Sequence, residues 1–319
     1  MLNVIVIIGF CLILVRFYFT LHRFFFIDEV DFAQRYGKDS YVCITGASSG
    51  MGKRFAIEFA KRGLNLLLIG SNRTKYTKEI INKLYPKIEV EIIEVDFCKA
   101  HKLNFFKPIK KAFEELDISI LINNIGHRSG WRPYHEMPSE KINDTIICGT
   151  IVQCQLTKIA INKFLSRKRR EKSGLIFVTA QNSASVGNNP IRMGSSDITI
   201  PFLSVYEAAN TFGYVHAESI YKEYSDEFDI LNITPGAVIT ENTGYLSDIP
   251  LSVDVKYFIK STMQLIGNIQ GESTGCWEHA IAPLLNFPIL KDYILGRVGD
   301  KIANFCMMHP HPSIGQCLV

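Results

Sequence analysis

The chain has 319 residues, 47% of them hydrophobic, which is long enough for one large domain with a sizeable core. Its formal charge of +4 is spread along the sequence. The one dense basic run, "SRKRREK" from Ser166 to Lys172, has no interleaved aromatic residues and reads as the solvated end of a helix, so no nucleic acid is expected as a partner.

The first 26 residues are a different material from the rest. "MLNVIVIIGFCLILV" is uncharged, and "RFYFTLHRFFF" continues it with only Arg16, His22 and Arg23 as polar breaks. A bilayer span takes about 20 mostly apolar residues. Leu2 to Leu21 meets that requirement if Arg16 snorkels to the interface. A cleaved signal peptide, the competing reading, would want a basic start and a small-residue cleavage site, and "TLHRFFF" offers neither. The expectation is therefore a transmembrane anchor over residues 1–26 followed by a linker over 27–40. The basic C-terminal flank of the anchor predicts that the remainder faces the cytosol, where the sequons at Asn72, Asn143 and Asn232 would stay unmodified.

From Tyr41 the pattern changes to apolar runs alternating with amphipathic ones. "YVCIT" (41–45), "LNLLLIG" (64–70), "IEVEIIEVDF" (88–97), "ISILINN" (118–124), "GLIFVTA" (174–180) and "FDILNITPG" (228–236) read as buried strands. "KRFAIEFAKRG" (53–63) and "TKEIINKLY" (77–85) read as helices between them. Such alternation implies βαβ units and a parallel sheet covered on both faces, a doubly wound α/β fold over residues 41–300. The apolar segment 279–295 is broken by Pro283 and Pro288 and reads as packing on the core or dipping into the membrane interface; 301–319 reads as a tail. The eight cysteines form no C-x-x-C pair and no Cys/His spacing for zinc, so no metal site is expected and the usage fits a reducing compartment.

The first strand runs into "TGASSGMG", Thr45 to Gly52, and then into a helix. In that context Gly46 serves a tight turn, Gly50 lets backbone amides approach a pyrophosphate, and Gly52 permits close helix–strand packing. Ser48, Ser49 and Met51 complete a loop whose amides face an anion at the helix N-terminus.

These residues resemble the short-chain dehydrogenase/reductase family, whose phosphate loop reads T-G-x-x-x-G-x-G. "VDF" (95–97), "NNIG" (123–126), "YEAAN" (206–210) and "PGAVIT" (235–240) match further family motifs in the same order, and the resemblance covers roughly residues 38 to 270. It implies a Rossmann-like fold and a nicotinamide cofactor. Asp96 would receive the adenine amine, with Phe97 beside it, and Asn123, Gly126, Pro235, Gly236, Val238 and Thr240 would line the cofactor. The anchor and the "DF" after the third strand look most like the membrane-bound branch, which includes 17β-hydroxysteroid dehydrogenases of the type 3 and type 12 kind and 3-oxoacyl-CoA reductases. That branch implies a hydrophobic small-molecule substrate, a steroid or a fatty acyl-CoA, at the endoplasmic reticulum membrane, and is compatible with a homo-oligomer. An acid at the end of the second strand would bind the ribose hydroxyl of NAD and repel a 2′-phosphate. The chain instead has Ser71, Asn72 and Arg73, which favours NADP(H).

The catalytic positions depart from the family. Its serine position falls on Ala180, its lysine on Asn210 and its asparagine on Gly149; only Tyr206 of the set remains. Thr179 is expected on the opposite face of its strand, while Ser183 or Ser185 of the following long loop could swing in. That loop and "HRSGWRPYHEM" (127–137), with Trp131, Tyr134 and Met193, are expected around the substrate; His127 reads as a surface histidine or a substitute acid. Alcohol oxidation needs a tyrosinate, and without a neighbouring cation there is little to favour it; carbonyl reduction needs the neutral phenol and suffers less. Two readings follow: a reductase with an impaired catalytic set, or a cofactor-binding pseudoenzyme acting as a sensor or partner in lipid metabolism.

Overall fold

In the computed structural model, residues 2–126, 132–167, 171–179, 202–241, 243, 247 and 251–281 are described. The six apolar runs become β1 (Tyr41–Thr45), β2 (Asn65–Gly70), β3 (Val90–Glu94), β4 (Ile118–Asn123), β5 (Gly174–Val178) and β6 (Asp229–Ile233). Every residue of β1, β4, β5 and β6 is buried, because a parallel strand covered on both faces has no solvent side to make polar. Three short strands were not legible as periodic runs: β7 (Val238–Ile239), β8 (Val253–Asp254) and β9 (Gly271–Ser273). The main sheet has seven parallel strands in the order β3-β2-β1-β4-β5-β6-β9, while β7 and β8 pair apart from it.

Side-chain alternation divides the interior into two cores. On one face Val42, Ile44, Leu66, Leu68, Ile120 and Ile122 meet α3 (Gly50–Lys61) and α9 (Val255–Leu265) through Phe55, Phe59 and Phe258. On the other, Cys43, Leu67, Leu121, Leu175 and Phe177 meet α5 (Lys107–Glu115) and α7 (Val152–Ser166). The doubly wound α/β expectation holds. Strand order reverses between β1 and β4, so the crevice at their C-terminal ends is the binding position this topology offers.

Three stretches differ from the sequence reading. The strand expected over 88–97 stops at Glu94, because Asp96 accepts a hydrogen bond from the Cys98 N–H at 3.1 Å and caps a 3₁₀ turn over Phe97–Lys99. The stretch 27–40, expected as a linker, contains α2 (Phe32–Tyr36), with Phe32 and Tyr36 buried. Arg167, expected on a solvated helix end, has a side chain only 3% exposed; it pairs with Asp117 at 2.9 Å and donates to the Tyr36 carbonyl at 3.0 Å.

At the N-terminus α1 (Leu2–Phe25) is 24 residues long, its end docked on the domain through buried Phe24 and through Phe25 against Trp277 of α10 (Trp277–Ile281). Among the described residues no helix is long and apolar enough to cross a membrane; the side chains of residues 2–10, 12, 13 and 16 lie outside that description. The expected apolar segment 279–295 lies outside it beyond Ile281.

Candidate active site and cofactor cleft

The loop between β1 and α3 is shaped by its glycines. Gly46 has φ +67° and Gly50 φ +53°, the left-handed region where a side chain is strained. A Cβ on Gly52 would stand 2.3 Å from the Gly46 carbonyl oxygen, so only glycine lets α3 start against the loop. Asn124 braces the same turn: its amide donates to the Thr45 carbonyl at 3.0 Å, and the Thr45 hydroxyl accepts the N–H groups of Asn124 (2.9 Å) and Ile125 (3.1 Å). Asn123 turns elsewhere, donating to the Gln153 carbonyl at 3.1 Å in the packing against α7. The neighbour of the predicted residue, rather than that residue itself, therefore ties β4 to the glycine loop. Ser48 and Ser49 are half-buried, Met51 packs on the core, and Ser49 supplies no side-chain cap to α3.

At the end of β2, Ser71 precedes α4 (Thr74–Leu84), with Asn72 and Arg73 exposed. Two buried hydroxyls here, on Ser71 and Thr74, have no hydrogen-bond partner. The Thr74 hydroxyl lies 2.8 Å from where a Cβ on Gly70 would stand, and the Ala47 and Ser48 amide nitrogens lie 3.6 and 3.9 Å from the same point. Orphaned buried hydroxyls are rare in folded proteins, and these sit beside loop amides that suit phosphate. Thr74 carried no signal in the sequence beyond its place at the helix start. Across the cleft, burial pushes the Asp96 carboxyl up, but Lys99 at 3.1 Å and the Cys98 N–H outweigh it and hold it below its ordinary value.

The tyrosine stands near the start of α8 (Ser204–Tyr224), where Tyr206 and Asn210 are half-buried and one turn apart. The Asn210 amide donates back to the Tyr206 carbonyl at 2.9 Å, so it bonds to its own helix. Gly149 lies in a π-helical turn (Ile147–Ile151) between α6 (Ser139–Ile146) and α7. A Cβ there would stand 2.8 Å from the Ala209 methyl, so the position where the family keeps asparagine is closed by α8 itself. A π turn in this place is the kind of helix irregularity that collects at functional sites. Thr179 faces away as expected, donating to the Asn232 side chain at 2.8 Å. Ala180, Ser183, Ser185, His127, Trp131, Met193 and Gly126's neighbours from 127 to 131 lie outside the described residues, and Tyr134 is exposed.

The loop after β6 closes the cleft. Pro235 is buried, and the Gly236 N–H donates to Nδ1 of buried His279 at 3.1 Å; burial lowers that imidazole's affinity for a proton. Val238 is buried in β7, and Thr240 is fixed by Thr243, which accepts its N–H at 2.8 Å. Neither His279 nor Glu241, whose carboxylate accepts the Gly50 N–H at 3.0 Å, was flagged by any motif, since both act on residues far away in sequence.

A family model described as short chain dehydrogenase matches residues 40–249, spanning the glycine loop, Tyr206 and the loop after β6. The chain belongs to the short chain dehydrogenases. Among the relatives of this short chain dehydrogenase, 17-beta-hydroxysteroid dehydrogenase type 3 of Homo sapiens is 29% identical over 249 residues, covering 76% of the chain and 72% of the relative. A very-long-chain 3-oxoacyl-CoA reductase of Lodderomyces elongisporus is 26% identical over 317 residues, covering 94% and 84%. Both relatives are oxidoreductases of alcohol or carbonyl groups, the class expected from the motifs. A short-chain dehydrogenase from Sphingobium yanoikuyae in complex with NADPH superposes with a TM-score of 0.60 at 20% identity over 83% of this chain and 95% of that one. A 7beta-hydroxysteroid dehydrogenase does so with a TM-score of 0.65 at 17% identity over 84% and 100%. These structures share the Rossmann-like fold.

Proposed function

We propose that this short chain dehydrogenase is a membrane-anchored, NADP(H)-dependent reductase of a carbonyl on a hydrophobic substrate, a steroid or a 3-oxoacyl-CoA. The observation that carries the reading is the glycine cradle joined to the orphaned hydroxyls of Ser71 and Thr74. The residues fit the cofactor: amides around Gly46–Gly52 for its pyrophosphate, Ser71, Asn72, Thr74 and Arg73 for a 2′-phosphate, Asp96 for its adenine, and the Pro235–Thr240 loop for its nicotinamide end. The cofactor supplies hydride when bound. Tyr206 holds the proton that a carbonyl oxygen takes up, and the neutral phenol is the form that serves as an acid. Asn210 supplies no charge, so alcohol oxidation is the slower direction.

Substrate class follows from the named relatives, one acting on hydroxysteroids and one on very-long-chain 3-oxoacyl-CoA. The anchor follows from α1 and from its described apolar side chains, since Leu14, Val15, Phe17, Tyr18 and Phe19 are all exposed. Such a concentration of exposed apolar surface suits a lipid environment, with the domain on the cytosolic side of the endoplasmic reticulum.

The test is single-turnover oxidation of NADPH against a panel of steroid ketones and 3-oxoacyl-CoA thioesters, for the wild type and Tyr206→Phe. Consumption with at least one class, lost in the Tyr206 variant, is expected. Tight NADPH binding with no consumption across the panel would replace this reading with the pseudoenzyme one.

A further inference from the structure

α3 presents the positive end of its dipole to the cleft, yet neither a side-chain cap from Ser49 nor an acidic residue in its first turn answers it. The answering charge comes from 191 residues further along the chain. Glu241 Oε2 accepts the Gly50 N–H at 3.0 Å, and its Oε1 lies 3.5 Å from the Lys53 ammonium. Both carboxylate oxygens are therefore engaged by the phosphate loop and the first turn behind it.

The loop that carries Glu241 is itself fixed. The Thr243 hydroxyl donates to the Val238 carbonyl at 2.6 Å and accepts the Thr240 N–H at 2.8 Å. The Thr240 methyl stands 3.6 Å from where a Cβ on Gly50 would be, so the two loops touch at this point. The Glu241 side chain is 55% exposed, however, and can leave without opening the core. Burial works against its charge, but the Gly50 N–H and Lys53 outweigh it, so the carboxyl is held below its ordinary range and is ionised at neutral pH.

We propose that Glu241 is a built-in counter-ion of the phosphate loop, a latch across the cleft that a dinucleotide's pyrophosphate must displace. The inference rests on the cofactor reading above. An amide aimed at a carboxylate suits a phosphate oxygen equally well, and two anions cannot share one N–H. Cofactor binding therefore carries the cost of releasing Glu241, and the carboxylate sets affinity without touching the reacting atoms. An exposed anion at a helix N-terminus typically corresponds to roughly two- to tenfold in an equilibrium constant.

The experiment compares NADPH dissociation constants, by calorimetry on the full chain, for the wild type, Glu241→Gln, Glu241→Ala and Gly52→Val. Melting temperatures are recorded with and without saturating NADPH. The two Glu241 variants should bind NADPH about two- to tenfold more tightly. Without cofactor they should melt lower than the wild type, and with cofactor no lower. A residue that only supports the loop would weaken binding and lower both melting temperatures, and that result overturns the latch. Equal affinity for wild type and both Glu241 variants also overturns it, while the cofactor reading survives so long as Gly52→Val abolishes binding. Absence of binding in the wild type and in every Glu241 variant overturns both.

Discussion

Asn210 and Tyr206 pose the residue-scale problem, because the asparagine bonds to the carbonyl of the tyrosine and not to anything across the cleft. A lysine in its place would set an ammonium one helical turn from the phenol, where a cation favours the ionised form. Asn210→Lys together with Ala180→Ser is expected to raise carbonyl reduction by an order of magnitude or more, about 1.4 kcal/mol of barrier for each factor of ten. Alcohol oxidation should gain proportionally more, since that direction requires the phenolate. The check is kcat/KM in both directions for the wild type, the double variant and the double variant carrying Tyr206→Phe. A gain that survives loss of Tyr206 would assign the tyrosine a structural place. Gly149 cannot be restored so simply, because its missing side chain is where Ala209 packs.

At the scale of elements, the short helix α2 shows what holds the N-terminal segment to the sheet. Asp229, at the start of β6, is buried; it accepts the Arg35 guanidinium at 2.6 and 2.9 Å and the Tyr36 hydroxyl at 2.9 Å. Removing one member leaves a buried charge without its partner, whereas replacing both ions with apolar residues costs less. Arg35→Met should therefore destabilise the fold by about 3 kcal/mol, and Arg35→Met with Asp229→Leu by clearly less, as read by denaturant unfolding. If the double variant were the worse of the two, the pair would be stabilising outright. This contact also marks the limit of what periodicity reveals. Fully buried parallel strands are continuous apolar runs, so β1 to β6 were plain from "YVCIT" to "FDILNI". A five-residue helix has too few turns to show a face, and β7 and β8, two residues each, have no period at all. The glycine loop was legible because its requirements are local. Glu241 and His279 were not, because each acts on a partner brought near only by the sheet.

For the whole molecule the question is where α1 places the domain. Twenty-four helical residues reach about 36 Å at ~1.5 Å per residue, comparable with the hydrocarbon thickness of a bilayer. The helix ends against α10 through Phe25 and Trp277, 6.2 Å apart, so the proposed anchor is joined closely to the sheet's flank. A hydrophobic substrate could then reach the cleft without crossing much water. Orientation follows from the basic flank at Arg16 and Arg23, which favours the cytosol for everything after it. The chain carries its own reporters of this arrangement. Asn232 is buried in β6 and is uninformative, but Asn72 and Asn143 are exposed, each heading an Asn-x-Thr sequon. In microsomes, the full chain should resist carbonate extraction while Asn72 and Asn143 remain unmodified, and an added C-terminal sequon should behave likewise. Quantitative glycosylation at Asn143 would place the domain in the lumen, and release by carbonate would remove the anchor from the account.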